Sequence, residues 1–145
     1  MSREKIVITG IGAVTPNGNN VSQFWSSLTK GQSGIVPITY FDPTNHRVKI
    51  AGQLSQFNPE LVLDKKEIRK LDPFSVYALV ATHEAIEMSG LNSQPFNSER
   101  VGVTIGTGVG GIQTLEEQQQ VIDQKGSRRV SPQFVPKMIA NIAGG

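Results

Sequence analysis

Along this chain the apolar positions alternate between β-branched runs and helical faces. Residues 5–8, built on Ile6-Val7-Ile8, read as a strand that Gly10 and Gly12 end. Pro16-Asn17-Gly18 is a turn signal. Residues 21–30 read as a helix. Val21, Phe24, Trp25 and Leu28 fall at i, i+3, i+4 and i+7, one apolar face, and Gly31 suits its end. Residues 33–56 carry Gly34, Pro37, Pro43 and Gly52 and read as irregular, with a short strand at 48–51. The strongest helical signal is Pro73–Ser89. Asp72 suits its N-cap, Pro73 its first position and Gly90 the position past its end. Its middle, Tyr77-Ala78-Leu79-Val80-Ala81, is apolar on nearly every face, which predicts a largely buried helix. Residues 101–105 read as a short buried strand. Ile112–Lys125 reads as an exposed helix, with Ile112, Leu115, Val121 and Ile122 as its weak apolar side. Alternating strands and helices predict an α/β layered fold. No internal repeat or linker divides residues 1–145, which read as one domain.

Composition narrows the function classes. A chain of 145 residues is long enough to bury about 68–70% of its unfolded surface. Charged residues at 18% and hydrophobic residues at 37% describe a globular rather than a disordered chain. The net charge of +2 is too small to point to nucleic acid. With no cysteine there is neither a disulfide framework nor a thiolate metal site. The first apolar run is too short for a signal peptide, and no stretch approaches the ~18 apolar residues of a membrane span. A cytoplasmic protein without membrane segments is the expectation.

Three motifs carry candidate chemistry. Gly106-Thr107-Gly108-Val109-Gly110-Gly111 contains G-x-G-x-x-G between a predicted strand and a predicted helix. The acidic residue that should end a second strand about 20 positions on is missing, because that distance falls at the end of the predicted helix. The reading is a tight turn with close backbone packing, and no cofactor is expected. His83-Glu84-Ala85-Ile86-Glu87 imitates half of a zinc-binding H-E-x-x-H, but Glu87 stands where the second histidine belongs. No metal site is expected. Within Lys65-Lys66-Glu67-Ile68-Arg69-Lys70, the residues Lys66, Arg69 and Lys70 share a helical face. That face suits either solvent or an acidic partner or phosphate. Arg128 and Arg129 form a second, smaller basic cluster with the same two readings.

Taken in order, several segments resemble bacterial β-ketoacyl-ACP synthases. They are V-I-T-G-I-G-A-V-T-P-N-G at 7–18, F-W at 24–25, G-Q-S-G-I at 31–35 and F-D at 41–42. K-E-I-R-K-L-D at 66–72, R-V-G-V-T-I-G-T-G-V-G-G at 100–111 and R-R-V-S-P-Q-F-V-P at 128–136 follow. Each is weak alone, but seven in one order and spacing, spanning essentially the whole chain, are specific. The type they resemble is the elongating 3-oxoacyl-ACP synthase II.

The resemblance implies a thiolase-like α/β fold, of which this chain covers most of the N-terminal half, and a homodimer. It implies that Lys66, Arg69 and Lys70 dock acyl carrier protein, with Arg128 and Arg129 as a second docking region. Val109 and Phe134 match positions lining the acyl pocket, and stand equally as core or interface residues. Gln133 departs from the aromatic residue usual there. The implied partner is a carrier protein bearing phosphopantetheine-linked acyl and malonyl groups. The implied reaction is decarboxylative Claisen condensation on a cysteine, aided by two histidines. In the family the cysteine, the paired histidines and a supporting lysine all fall past the position of Gly145, so no catalytic residue is assigned here. The 145 residues alone are expected to be inactive, and to aggregate or stay partly molten where a partial layered fold leaves apolar faces uncovered. Two further readings remain: a non-catalytic dimerisation or carrier-binding derivative, and a ketosynthase-like chain-length partner.

Overall fold

The computed structural model describes residues 5–93 and 95–145. Its elements, in chain order, are α1 (Val21–Thr29), β1 (Ile35–Pro37), β2 (Ile50–Gly52), α2 (Lys65–Ile68), α3 (Pro73–Ser89), α4 (Ile112–Lys125) and α5 (Phe134–Met138). Short 3₁₀ turns stand between them. Two compact units form: Met1–Asn58 with Ala81–Gln94, and Pro59–Val80 with Pro95–Gly145.

In the first unit the Pro16-Asn17 turn closes by paired bonds, Thr15 N–H to the Gly18 carbonyl at 2.9 Å and Gly18 N–H to the Thr15 carbonyl at 3.1 Å. Asn20 caps α1, its side-chain oxygen accepting the Gln23 N–H at 2.8 Å. At the other end Gly31 takes φ +65°. Gly31 N–H reaches the Leu28 carbonyl at 3.0 Å and Gln32 N–H the Ser27 carbonyl at 2.9 Å, a Schellman closure. The apolar side of α1 stays open, with Trp25 65% exposed.

β1 and β2 pair antiparallel, Val36 opposite Ala51. Buried Gln53 closes the pair, giving an N–H to the Pro37 carbonyl at 3.1 Å and accepting the Thr39 N–H at 2.9 Å. Of the strand read at 48–51, only Ile50 and Ala51 are in strand geometry. β1, in a stretch read as irregular, comes into being through that pairing.

Residues 5–8 do not form the expected strand. A strand exists only through its neighbours, and among the described residues none pairs with them; Ile6 and Ile8 remain 100% and 86% exposed. The segment that follows lies instead along α3. A Cβ on Gly10 would meet the Ala85 carbonyl oxygen, and one on Gly12 the Ala81 carbonyl oxygen. The Glu84 carboxylate accepts the Ala13 N–H at 2.9 Å and the Val21 N–H at 2.8 Å, tying this segment and the first turn of α1 to α3.

In the second unit Asp72 caps α3 as expected, its Oδ1 accepting the Phe74 N–H at 3.2 Å. The largely buried helix is not observed: Ser75 and Val76 are its buried residues, and Tyr77–Ala81 is half-buried. Every residue of that apolar run keeps partial exposure, so its composition alone did not secure full cover. Residues 101–105 are not the expected buried strand either, with Val103 62% exposed and no ladder partner among the described residues. α4 has its expected bounds. Gln113–Glu117 and Gln119–Asp123 pairs at 3.1 and 3.0 Å line its exposed face, and Gly126 ends it with φ +81°. No helix among the described residues is long and apolar enough to cross a membrane.

Candidate functional site

Every residue singled out by the sequence for binding lies in the second unit. Lys66 is in α2, and Arg69 and Lys70 are in the turn that continues it. The turn forms because Asp64 and Glu67 close a capping box at its start. The Arg69 N–H then bonds the Lys65 carbonyl at 3.3 Å and the Lys70 N–H the Glu67 carbonyl at 2.8 Å. All three basic side chains are exposed, and among the described residues none is in an ion pair. Their neighbour Lys65 differs: its ammonium sits 3.2 Å from the Glu60 carboxylate. Glu60, Leu63, Asp64, Lys65 and Lys66 line a shallow recess of about 460 Å³. The turn therefore presents three unneutralised cations beside a partly neutralised one.

Arg128 and Arg129 occupy the 3₁₀ turn Ser127–Arg129 that follows α4, and both are exposed. The turn is held to α4 by the Gln118 side chain, which accepts the Ser131 N–H at 2.7 Å. Arg129 lines a recess of about 580 Å³ with Val121 and Lys125. Lys125 was not among the residues singled out. Its position in the last turn of α4 was the signal available, since cations are favoured there.

Val109 stands in the loop before α4 and is 65% exposed; Phe134 opens α5 and is half-buried. The loop of the first and the helix of the second are joined through the backbone. Gly111 N–H donates to the Met138 carbonyl at 3.1 Å, and a Cβ on Gly110 would lie 2.6 Å from that same oxygen. Gly110 also takes φ +80°. The last two glycines of the G-x-G-x-x-G run thus serve close packing, while Gly106 and Gly108 face open space.

The half-motif His83–Glu87 resolves into structural contacts. His83 pairs with Glu87 at 3.6 Å on an exposed face of α3, and Glu84 is spent on backbone N–H groups. His46 packs edge-on against Phe41, ring centroids 5.3 Å apart. Among the described residues no cluster of three or more acidic or histidine side chains is placed to hold a metal ion. Sequence reasoning gave Asp72 only a capping role. Its second oxygen accepts both the Thr114 N–H at 2.9 Å and the Thr114 hydroxyl at 2.6 Å, in buried surroundings.

The family of β-ketoacyl synthase N-terminal domains matches residues 3–145, and the chain belongs to it. It is 43% identical over 145 residues to 3-oxoacyl-[acyl-carrier-protein] synthase 2 of Vibrio cholerae and 39% to that of Synechocystis. The Staphylococcus aureus counterpart is 44% identical over 146 positions. Each comparison covers 100% of this chain and 35% of the relative, so the chain spans about a third of their length. Among solved structures, a type II polyketide ketosynthase in complex with its acyl carrier protein and bound to the hexaketide matches with a TM-score of 0.78. There the identity is 26%, covering 99% of this chain and 37% of that one. A β-ketoacyl synthase from Burkholderia phymatum matches with a TM-score of 0.77 at 23% identity, covering 95% of this chain and 34% of that one. The α/β, thiolase-like fold class is thereby established.

Proposed function

We propose that this chain is the N-terminal part of a cytoplasmic, homodimeric 3-oxoacyl-[acyl-carrier-protein] synthase, one incomplete domain that docks the carrier and lines part of the acyl pocket. The observation that carries the reading is the 39–44% identity to synthases of that name, sustained over the entire chain. In the reaction, an acyl group passes from the carrier's phosphopantetheine thiol to an enzyme cysteine. Malonyl-carrier then loses carbon dioxide, and the carbanion so formed attacks the acyl thioester. A carbon–carbon bond forms, the carbon–sulfur bond to the enzyme breaks, and the cysteine leaves as thiolate. Two histidines and backbone N–H donors stabilise the developing charge. Neither the cysteine nor the paired histidines are assigned to residues of this chain.

Its contribution is recognition. Lys66, Arg69 and Lys70 are exposed and unneutralised, as an acidic carrier requires, and Arg128 and Arg129 add a second basic contact. Such charges accelerate encounter and fix register more than they add affinity. Val109 and Phe134 offer apolar surface to an alkyl chain, each buried methylene contributing about 0.8 kcal/mol. The chain-length-partner alternative is not favoured: the ishigamide ketosynthase/chain length factor, 22% identical with a TM-score of 0.78, shares the fold alone.

The coding frame beyond Gly145 tests the catalytic reading. A cysteine after an apolar strand, followed by two histidines, is the expected result. A stop codon, or another residue in the cysteine's place, overturns catalysis in cis. Titration of a labelled bacterial holo-acyl carrier protein against the chain, read by fluorescence anisotropy at low salt, tests the docking reading.

A further inference from the structure

We infer that Asp72 is a positioning residue that couples the basic turn at 65–70 to the glycine loop carrying Val109, so that carrier contact at the turn orders the loop; this rests on the docking reading above. The path is short and has no slack. From Asp64 to Val76 the backbone is almost continuously hydrogen-bonded. Lys70 N–H reaches the Glu67 carbonyl at 2.8 Å and Leu71 N–H the Ile68 carbonyl at 3.2 Å. The Asp72 carbonyl then receives the Ser75 and Val76 N–H groups at 3.0 and 3.2 Å. Asp72 is thus fixed two residues from Lys70, at the point where the docking turn becomes α3.

Its carboxylate carries the connection onward. Oδ1 accepts the Phe74 N–H, while Oδ2 accepts the N–H and the hydroxyl of Thr114 in the first turn of α4. Asp72 is 3% exposed and Thr114 5%, so water does not compete for these bonds. Gly111 fills the remaining space, since a Cβ there would lie 3.1 Å from Oδ2 and 2.5 Å from the Lys137 carbonyl oxygen. The loop before α4 is therefore clamped at Gly111 and Thr114. Val109, two residues earlier, is 65% exposed and outside the clamp. It sits in a turn closed by the Gly110 N–H bonding Thr107 Oγ1 at 3.2 Å, while Gly106 and Gly108 face open space; a segment held on its α4 side and open before it is the kind of element whose order a distant contact shifts. The carboxylate is needed because it accepts at both oxygens. An amide in its place would present an NH₂ group to a backbone N–H or to Thr114.

Hydrogen exchange at residues 107–114, followed with and without holo-acyl carrier protein, tests the coupling, with anisotropy reporting binding in the same samples. In the wild-type chain, carrier is expected to slow exchange there by about fivefold or more. In Asp72→Asn that slowing is expected to vanish, with carrier affinity unchanged within about twofold. Thr114→Ser, which keeps both donors, should retain the response. Thr114→Val keeps the N–H bond and should show a reduced one, and it carries the test if Asp72→Asn does not fold. Binding without protection of the loop, or protection that survives Asp72→Asn, overturns the coupling and leaves docking standing. Absence of binding in the wild type overturns both.

Discussion

Gly12 lies so close to Ala81 that a methyl group on its α-carbon would overlap the Ala81 carbonyl oxygen. Both partners in that overlap are backbone, one an extended segment and the other helix α3, so neither yields as a side chain would. Gly12→Ala is therefore expected to destabilise the chain by roughly 2–4 kcal/mol, in the range of severe overpacking. Gly10→Ala, against the Ala85 carbonyl, should behave alike. Gly102 has nothing within 4 Å of its would-be Cβ, and Gly102→Ala is expected to change the urea midpoint little. Equal midpoints for Gly12→Ala and Gly102→Ala would refute the close approach.

Glu84 should prove structural and not metal-binding. Its two oxygens serve the N–H groups of Ala13 and Val21. Glu84→Gln leaves one of these donors facing an amide N–H, at a cost of about 1–3 kcal/mol. The denaturation midpoint is expected to fall by that amount and to be indifferent to added zinc. A zinc-dependent rise of the wild-type midpoint would contradict this role.

These contacts explain what the sequence could and could not reveal. α3 and α4 have the expected bounds because their signals are local: Asp72 before Pro73, Gly90 after Ser89, and Gly126 after Lys125. The strands at 5–8 and 101–105 failed because β-branched runs specify a strand only when a partner lies alongside. Ile35–Pro37 was missed for the converse reason, its Gly34 and Pro37 masking a segment that pairs with Ile50–Gly52. The exposure of the basic residues was legible because charged side chains seek solvent, and their docking role stands as the proposal above. Asp72–Thr114 spans 42 positions, and Asp72 satisfies its local capping signal completely, so nothing in the chain advertised the longer bond.

Ser75 is fully buried, and among the described residues its hydroxyl has no hydrogen-bond partner. An unpaired buried hydroxyl is a net cost, so Ser75→Ala is expected to be neutral or to stabilise by up to about 1 kcal/mol. Ser75→Val adds volume to the same site and should destabilise. A loss of stability in Ser75→Ala would show that the hydroxyl has a partner after all.

Asp42 accepts the Thr44 hydroxyl at 2.5 Å and the Thr44 N–H at 3.0 Å. The hydroxyl bond first, and the backbone bond second, hold its carboxyl below the usual carboxylate value. A depressed folded-state pKa gives a contribution present above the unfolded value and lost as pH falls through the folded one. An NMR titration is expected to show the Asp42 carboxyl moving up towards its ordinary value in Thr44→Ala. An unchanged titration would mean the hydroxyl bond is not the main cause.

The basic turn should divide into used and unused charges. Lys66, Arg69 and Lys70 have no ion-pair partner among the described residues, whereas the Lys65 ammonium faces Glu60 at 3.2 Å. Reversing Lys66, Arg69 and Lys70 together is expected to weaken carrier binding by about tenfold or more and to flatten its salt dependence. Lys65→Ala removes a charge already offset by an exposed neighbour, and should alter affinity by less than about threefold. Glu60→Gln frees Lys65 to join the face, so it should tighten binding slightly and steepen the salt dependence. Anisotropy titrations at two salt concentrations separate the cases. If Lys65→Ala weakened binding as much as the triple reversal, the carrier would be meeting the whole recess and not the three-cation face.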